Sequence, residues 1–309
     1  ELLRGYPGIR GVHTYRKRNR QRRRGSMIRL SRKLRQRRFQ LAIIAHRSFR
    51  SSLIAFLAGI PVRVGFAESA GKWLLTYRVN RDPEAYEAAR NLALIVPFGG
   101  SVSRFLPQLP EREDELQQVR ELLDRSNLDP TRLIALAPGS VWETKRWPEE
   151  YWTLLAKRFE TEGYHIVLVG GPSDRDLAER ITSQCGEHAV NVAGKLSIPG
   201  SAELLRIARL LVSGDTAPVH LAVAVNTRVI TIFGPTVPEF GFASPRVNDR
   251  VVGLDLECRP CAIHGGKRCP LGHHDCMNKL DPLVVEQVIH DMIGKPGEAF
   301  PSDEGEGNE

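Results

Sequence analysis

Lys145 stands in LIALAPGSVWETKRWPEEYW, residues 133 to 152, where an apolar run breaks at Pro138-Gly139-Ser140 and Thr144, Lys145 and Arg146 precede a helix that Pro148 begins. A lysine there can hold a phosphate as a mobile point charge, with backbone donors supplied by the helix N-terminus beside it. The bland alternative is a solvated surface pair. A second polar loop, in SGDTAPVHLAVA at 213 to 224, sets Asp215 and Thr216 between a strand and an apolar helix with Pro218 in its first turn. Either side chain can simply cap that helix, or both can face a ligand together with the backbone from Ala217 onward. His220 follows Thr216 by four positions, so it lies on the same side of the first turn and can approach that ligand or pack in the core. A third loop, IFGPT at 232 to 236, neighbours the second if consecutive strands are adjacent. LVGGPSDRD, 168 to 176, lacks the GxGxxG spacing, which disfavours a nicotinamide site. Asp174 within it can accept a ribose hydroxyl or occupy the favourable acidic position at a helix start.

Four of the five cysteines, Cys258, Cys261, Cys269 and Cys276, are concentrated in CRPCAIHGGKRCPLGHHDC, and Cys185 stands apart. Four thiolates can bind zinc tetrahedrally, with His264, His273 and His274 as substitutes, but these spacings match no ordinary finger. The alternative is a set of thiols and histidines that order a loop near the site. In a cytosolic chain disulfides are not expected to persist.

The elements that must position these loops alternate regularly from residue 133. Strands LIALA, HIVLVG, HAVNVAG, LLVSG and RVITIFG alternate with amphipathic or apolar helices, which predicts a parallel, doubly wound sheet. A last helix is predicted at 282 to 293. Upstream, MIRLSRKLRQRRF places Met27, Leu30 and Leu34 on one side of a helix. LAIIAH reads as a buried strand, SSLIAFLAG as a helix and VRVGF as the next strand, and 82 to 97 reads as another helix. The Pro-, Gln- and Glu-rich segment up to about 130 reads as a linker containing a helix. The expected division is an N-terminal domain over 1 to 125, a second domain over 126 to 295, and an acidic tail over 296 to 309 with no expected order.

The 309 residues carry a formal charge of +8, but 17 lysines and arginines crowd into the first fifty residues against the single acid Glu1. The stretch YRKRNRQRRRG, 15 to 25, is either a solvated charged surface with no partner or one that attracts an anionic partner such as an acidic glycan or a membrane surface. No nucleic-acid-binding pattern accompanies the charge and aromatics are not interleaved with it, so no nucleic acid is expected. No run of 18 apolar residues and no signal-peptide pattern is present, which sets the expectation of a cytoplasmic chain, peripheral to the inner face of the membrane.

Taken together and in order, PGSVWETKRWPEEYW, SGDTAPVHLAVA, TIFGPT and CRPCAIHGGKRCPLGHHDCM resemble the bacterial heptosyltransferases of glycosyltransferase family 9, especially those of the heptosyltransferase II type. HRSFRSSLIAFLAGIPVRVGF is similar to the family's N-terminal domain, and the likeness covers about residues 38 to 293. The resemblance implies an α/β GT-B architecture of two Rossmann-like domains. The second would bind ADP-heptose, and the first, read as lacking its opening strand, would receive the lipid A and inner-core acceptor. It further implies that Thr144 and Lys145 hold the donor diphosphate, Asp215 contacts the heptose, and Thr216 and the following amides meet the phosphates. Ser140, Asp174 and His220 complete the expected donor set, with Asp174 as ribose partner. Lys145 and Asp215 are the expected catalytic residues, and the general base is expected upstream of residue 1. No cofactor or metal is required by this scheme, the four cysteines being the only candidate metal set.

Overall fold

A computed structural model describes residues 2–15, 23–102 and 106–293, the side chains of 23 and 24 excepted. The acidic tail and most of the basic stretch at 15 to 25 fall outside the described residues. The chain is α/β and forms two compact units, Leu3–Phe105 and Leu106–Glu309 with Glu1–Leu2.

The first unit holds helix α1 (Arg23–Gln36), strand β1 (Leu41–Ile44), helix α2 (Phe49–Leu57), strands β2 (Val62–Phe66) and β3 (Tyr77–Val79), and helix α3 (Glu87–Leu92). Its three strands are parallel in the order β1-β2-β3. The predicted α1 stripe is correct, with Met27, Leu30 and Leu34 half-buried and Ser31 donating to the Ile54 carbonyl of α2. The helix expected over 82 to 97 is shorter. It ends at Leu92 and tightens into a 3-10 segment, Ala93–Phe98, around Pro97, whose ring and missing N–H are poorly tolerated in a helix interior.

The second unit comprises α4 (Glu113–Arg125), β4 (Leu133–Ala137), α5 (Glu149–Thr161), β5 (His165–Leu168), α6 (Arg175–Thr182), β6 (Ala189–Asn191), α7 (Ile198–Ile207), β7 (Leu210–Gly214), α8 (Ala217–Ala224), β8 (Arg228–Ile232), β9 (Arg250–Val252), α9 (Asp275–Asn278) and α10 (Pro282–Ile293). Its six strands are all parallel in the order β6-β5-β4-β7-β8-β9. Successive strand residues point to opposite faces. Ile134 and Leu136 therefore join the core with Trp152, Phe159 and Ile289, while Leu133, Ala135 and Ala137 join the core with Val119, Leu204 and Val223.

The unit begins at Leu106, whereas the sequence places the boundary at 125. Leu116, Val119 and Leu123 of α4 recur at helical spacing and are buried; α4 packs on α7 as part of this unit. The expected linker helix is thus a structural layer. Strand order reverses between β4 and β7, which opens a crevice at their carboxyl ends of the kind that binds ligands in doubly wound sheets.

At the opposite edge, His165 at the start of β5 stacks on His188, with ring centroids 4.4 Å apart. Its Nδ1 accepts the Asp129 N–H at 2.5 Å. Burial, and then the neighbouring His188, depress its pKa below the ordinary imidazole value despite the opposing pull of Asp129 and Glu160. The unfolded chain therefore takes up this proton first as pH falls below about 6.5, and stability present above that pH is progressively lost down to the folded pKa. Unfolding free energies measured between pH 7.5 and 5.5 should fall more steeply for the wild type than for His165→Asn, which keeps an acceptor without the titration. Equal slopes would refute this assignment.

Candidate functional site

The β4 exit loop closes on itself. Ser140 is buried; its Oγ accepts the Trp142 N–H at 3.1 Å and its carbonyl accepts Arg146 Nε at 3.0 Å. The chain then makes a 3-10 turn, Glu143–Lys145, before α5 begins. Asp174 comes from the β5 exit and meets this loop. Its carboxylate accepts the Gly171 N–H at 2.8 Å and lies so close to Gly139 that a Cβ there would come within 2.3 Å of it. Asp174 also lines a cavity of about 550 Å³ with Glu143, Arg146, Trp147 and His274.

The structure overturns the reading of Lys145 and Arg146 as a solvated pair: Arg146 is half-buried, but Lys145 is only 8% exposed. The Lys145 ammonium binds Asp215 Oδ2 at 2.5 Å and the Asp215 carbonyl at 3.1 Å. Fully buried Thr236, from the β8 exit, donates to the same Oδ2 at 2.8 Å. Among the described residues no hydrogen bond falls on Asp215 Oδ1. Lys145 and Asp215, 70 residues apart in sequence, thus meet across the β4–β7 crevice as a buried ion pair fixed by a hydroxyl. The TIFGPT motif had marked this loop without singling out Thr236; its position one turn beyond a strand adjacent to the Asp215 strand was the available signal.

Thr216 occupies the N-cap position of α8, yet its side chain caps nothing; it meets Ser213 Oγ at 3.1 Å instead. Pro218 contributes no N–H. This helix start keeps uncapped amides, including that of exposed Ala217, in the geometry that attracts anions. His220 is half-buried one turn further along.

Thr144, expected to contact the diphosphate, has its polar groups on Gly266 in this structure. It is buried, its N–H and hydroxyl donate to the Gly266 carbonyl at 3.1 and 3.0 Å, and its hydroxyl accepts the Gly266 N–H at 2.8 Å. The hydroxyl is engaged as donor and acceptor, so Thr144 pins the turn that carries Lys145. Gly265, at φ +83°, lies against that lysine, and a Cβ on it would come within 3.1 Å of Lys145 Cγ.

Gly265 and Gly266 belong to the cysteine-rich loop. Its four thiols are unpaired, and among the described residues no three of them gather closely enough to hold one ion; the grouping that does so is Glu162, Glu286 and His290, elsewhere in the unit. Burial pushes Cys276 up to about 11 and raises Cys261, whose thiol donates to the Cys258 carbonyl. Cys269 moves the other way: burial opposes its ionisation, but the N–H groups of Leu271, Gly272, His273 and His274 outweigh that and hold it below the usual thiol range. Arg259, in the same loop, donates to the carbonyls of Phe233 and Thr236. The loop therefore braces both walls of the crevice, Thr144 on one side and Thr236 on the other.

Known proteins share this organisation. Residues 27–272 match the model of glycosyltransferase family 9 (heptosyltransferase). Lipopolysaccharide heptosyltransferase 2 of Salmonella typhimurium is 25% identical over 285 residues, covering 88% of this chain and 81% of its own. The Escherichia coli enzyme of the same name is 27% identical over 283 residues, covering 87% and 80%. Among solved structures, E. coli ADP-heptose lipopolysaccharide heptosyltransferase II superposes with a TM-score of 0.71 at 25% identity over 86% of this chain and 80% of that one. A family 9 glycosyltransferase from Veillonella parvula gives 0.83 at 19% identity over 94% and 84%, a likeness of fold. The two α/β units are those of the GT-B architecture, and with a family match spanning most of its length the chain belongs to glycosyltransferase family 9, the heptosyltransferases.

Proposed function

We propose that this chain supplies the donor site for transfer of L-glycero-D-manno-heptose from ADP-heptose, with inversion, to a hydroxyl of the heptose-bearing inner core of lipopolysaccharide, the hydroxyl proton passing to a general base outside the residues named here and ADP leaving. The observation that carries the reading is the buried Lys145–Asp215–Thr236 cluster at the β4–β7 crevice, in a chain whose relatives include lipopolysaccharide heptosyltransferases. Breaking the bond from the anomeric carbon to phosphate puts negative charge on the departing ADP. A lysine held in place by Asp215 meets that charge without reorganising, and the amides of Thr216 and Ala217 add donors from the α8 start. Such interactions strengthen as charge develops, and so accelerate the step. Asp215 Oδ1 is assigned to the heptose hydroxyls and Asp174 to the ribose. Ser140 and Thr144 act by shaping the loop, and His220 borders the phosphate position.

The acceptor is anionic, and the exposed Arg29, Arg32, Lys33, Arg35, Arg37 and Arg38 in and just after α1 suit it, at the inner face of the cytoplasmic membrane. The test is heptose transfer to a heptose-bearing inner-core acceptor with ADP-heptose or UDP-sugars as donor. Only ADP-heptose should turn over; ADP binding without transfer would retain the donor site and refute the reaction. Raising salt from 0.1 to 1 M shortens the screening length from about 10 to about 3 Å, so acceptor binding should weaken more than ADP binding. Equal responses would remove the basic surface from the acceptor site.

A further inference from the structure

The turn that presents Lys145 is held from outside its own segment by residues of the cysteine-rich loop. Gly266 occupies the N–H and hydroxyl of Thr144, and His274 Nε2 lies 2.7 Å from the Thr144 carbonyl. A carbonyl only accepts, so Nε2 carries the hydrogen and donates. His274 does this from an uncommon backbone state for a side-chain-bearing residue, φ 56° and ψ 30°, at the start of α9. The preceding turn is closed by the Gly272 N–H on the Cys269 carbonyl at 3.1 Å. Glycine would meet that backbone requirement with less strain. What histidine adds at 274 is the ring and its donor.

We propose that His274 is a positioning residue for the donor site: its N–H···O bond to Thr144 sets the 3-10 turn bearing Lys145, and through it the geometry of the Lys145–Asp215 pair. The inference rests on the reading of Lys145 as the donor-phosphate contact. The histidine does not touch the reacting atoms in this account. It acts through one backbone carbonyl, 130 residues away in sequence.

Two variants test this in the full chain. His274→Gly keeps the left-handed backbone and removes the donor; His274→Gln restores an N–H at comparable reach. His274→Gly should weaken ADP binding in calorimetry by about tenfold, the size of one neutral hydrogen bond. It should raise the KM for ADP-heptose more than it lowers kcat, and His274→Gln should recover most of both. Amide hydrogen exchange at 142–146 should accelerate in His274→Gly while β4 and β7 keep their protection. Unchanged exchange at 142–146 overturns the proposal whatever ADP does, and so does a glutamine variant as impaired as the glycine one in both exchange and binding. Accelerated exchange in a chain that binds no ADP would uphold the positioning role and refute the donor-site reading, so the two failures are distinguishable.

Discussion

Lys145→Met should reduce heptose transfer by about 10²- to 10³-fold, the range seen when one preorganised electrostatic contact to a transition state is removed. It should also lower the stability of the second unit by about 3–5 kcal/mol, because it strands the Asp215 carboxylate in a buried site. The two partners are 8% and 6% exposed, so water cannot readily replace the missing charge. Thr236 would remain as a hydroxyl donor to Oδ2 but carries no charge. These effects separate in the double variant Lys145→Met/Asp215→Leu. Replacing both charges with apolar groups should recover much of the stability without recovering transfer. Urea denaturation and the transfer assay together decide the matter. A stable, fully active Lys145→Met would remove Lys145 from the mechanism; a double variant that regains transfer would make the pair purely structural.

Trp152→Ala should destabilise the same unit by about 3–5 kcal/mol, the usual range for deleting a large buried aromatic. Trp152 is 1% exposed and meets Trp147 edge-on with ring centroids 5.1 Å apart. Trp147 in turn packs edge-on against Tyr151 and donates its indole N–H to the Leu280 carbonyl at 3.1 Å. The group therefore anchors the start of α5, directly after the Lys145 turn, against the segment between α9 and α10. Trp152→Phe is expected to cost less than half as much. Among the described residues the Trp152 indole N–H finds no acceptor, and phenylalanine removes that buried donor while keeping most of the ring. Urea midpoints for the two variants provide the comparison. A phenylalanine variant as unstable as the alanine one would mean that the indole nitrogen contributes favourably.

Much of the second sheet is legible in the sequence because each of β4 to β7 is an apolar or β-branched run followed by a helical period, and β8 is such a run directly after one. α10 begins and ends where that periodicity places it. β3 and β9 are not legible: like β6 they are three residues long, but each carries an arginine within its run, whereas β6 lies in the longer HAVNVAG between two helical periods. α7 starts at Ile198, ahead of the amphipathic run SAELLRIAR at 201 to 209, because Ser197 caps it by accepting the Gly200 N–H and Pro199 suits its first turn. The polar surface of α4 looks like a linker, and only its three buried residues reveal a packed layer. In the site, the sequence brings forward Lys145 and Asp215 but not their mutual burial. A Lys-Arg pair in a loop reads as exposed until Asp215 and Thr236 arrive from other strands. The work of Thr144 is hidden for the same reason, since its partners lie in a loop whose cysteines draw attention to metal chemistry instead.

The clasp between Thr144 and Gly266 joins residues 122 positions apart. Contacts of such separation carry the loop-closure cost of everything between them, so they form late. During synthesis at about 5–20 residues per second, Thr144 waits roughly 6–25 s for its partner to be made. Meanwhile β4, α5, β5 and the following elements can already pair and collapse. The pocket would therefore mature only with the last part of the unit, as α9 and α10 arrive to complete the same core, and ligand competence would come with completion of the fold rather than with pairing of the first strands.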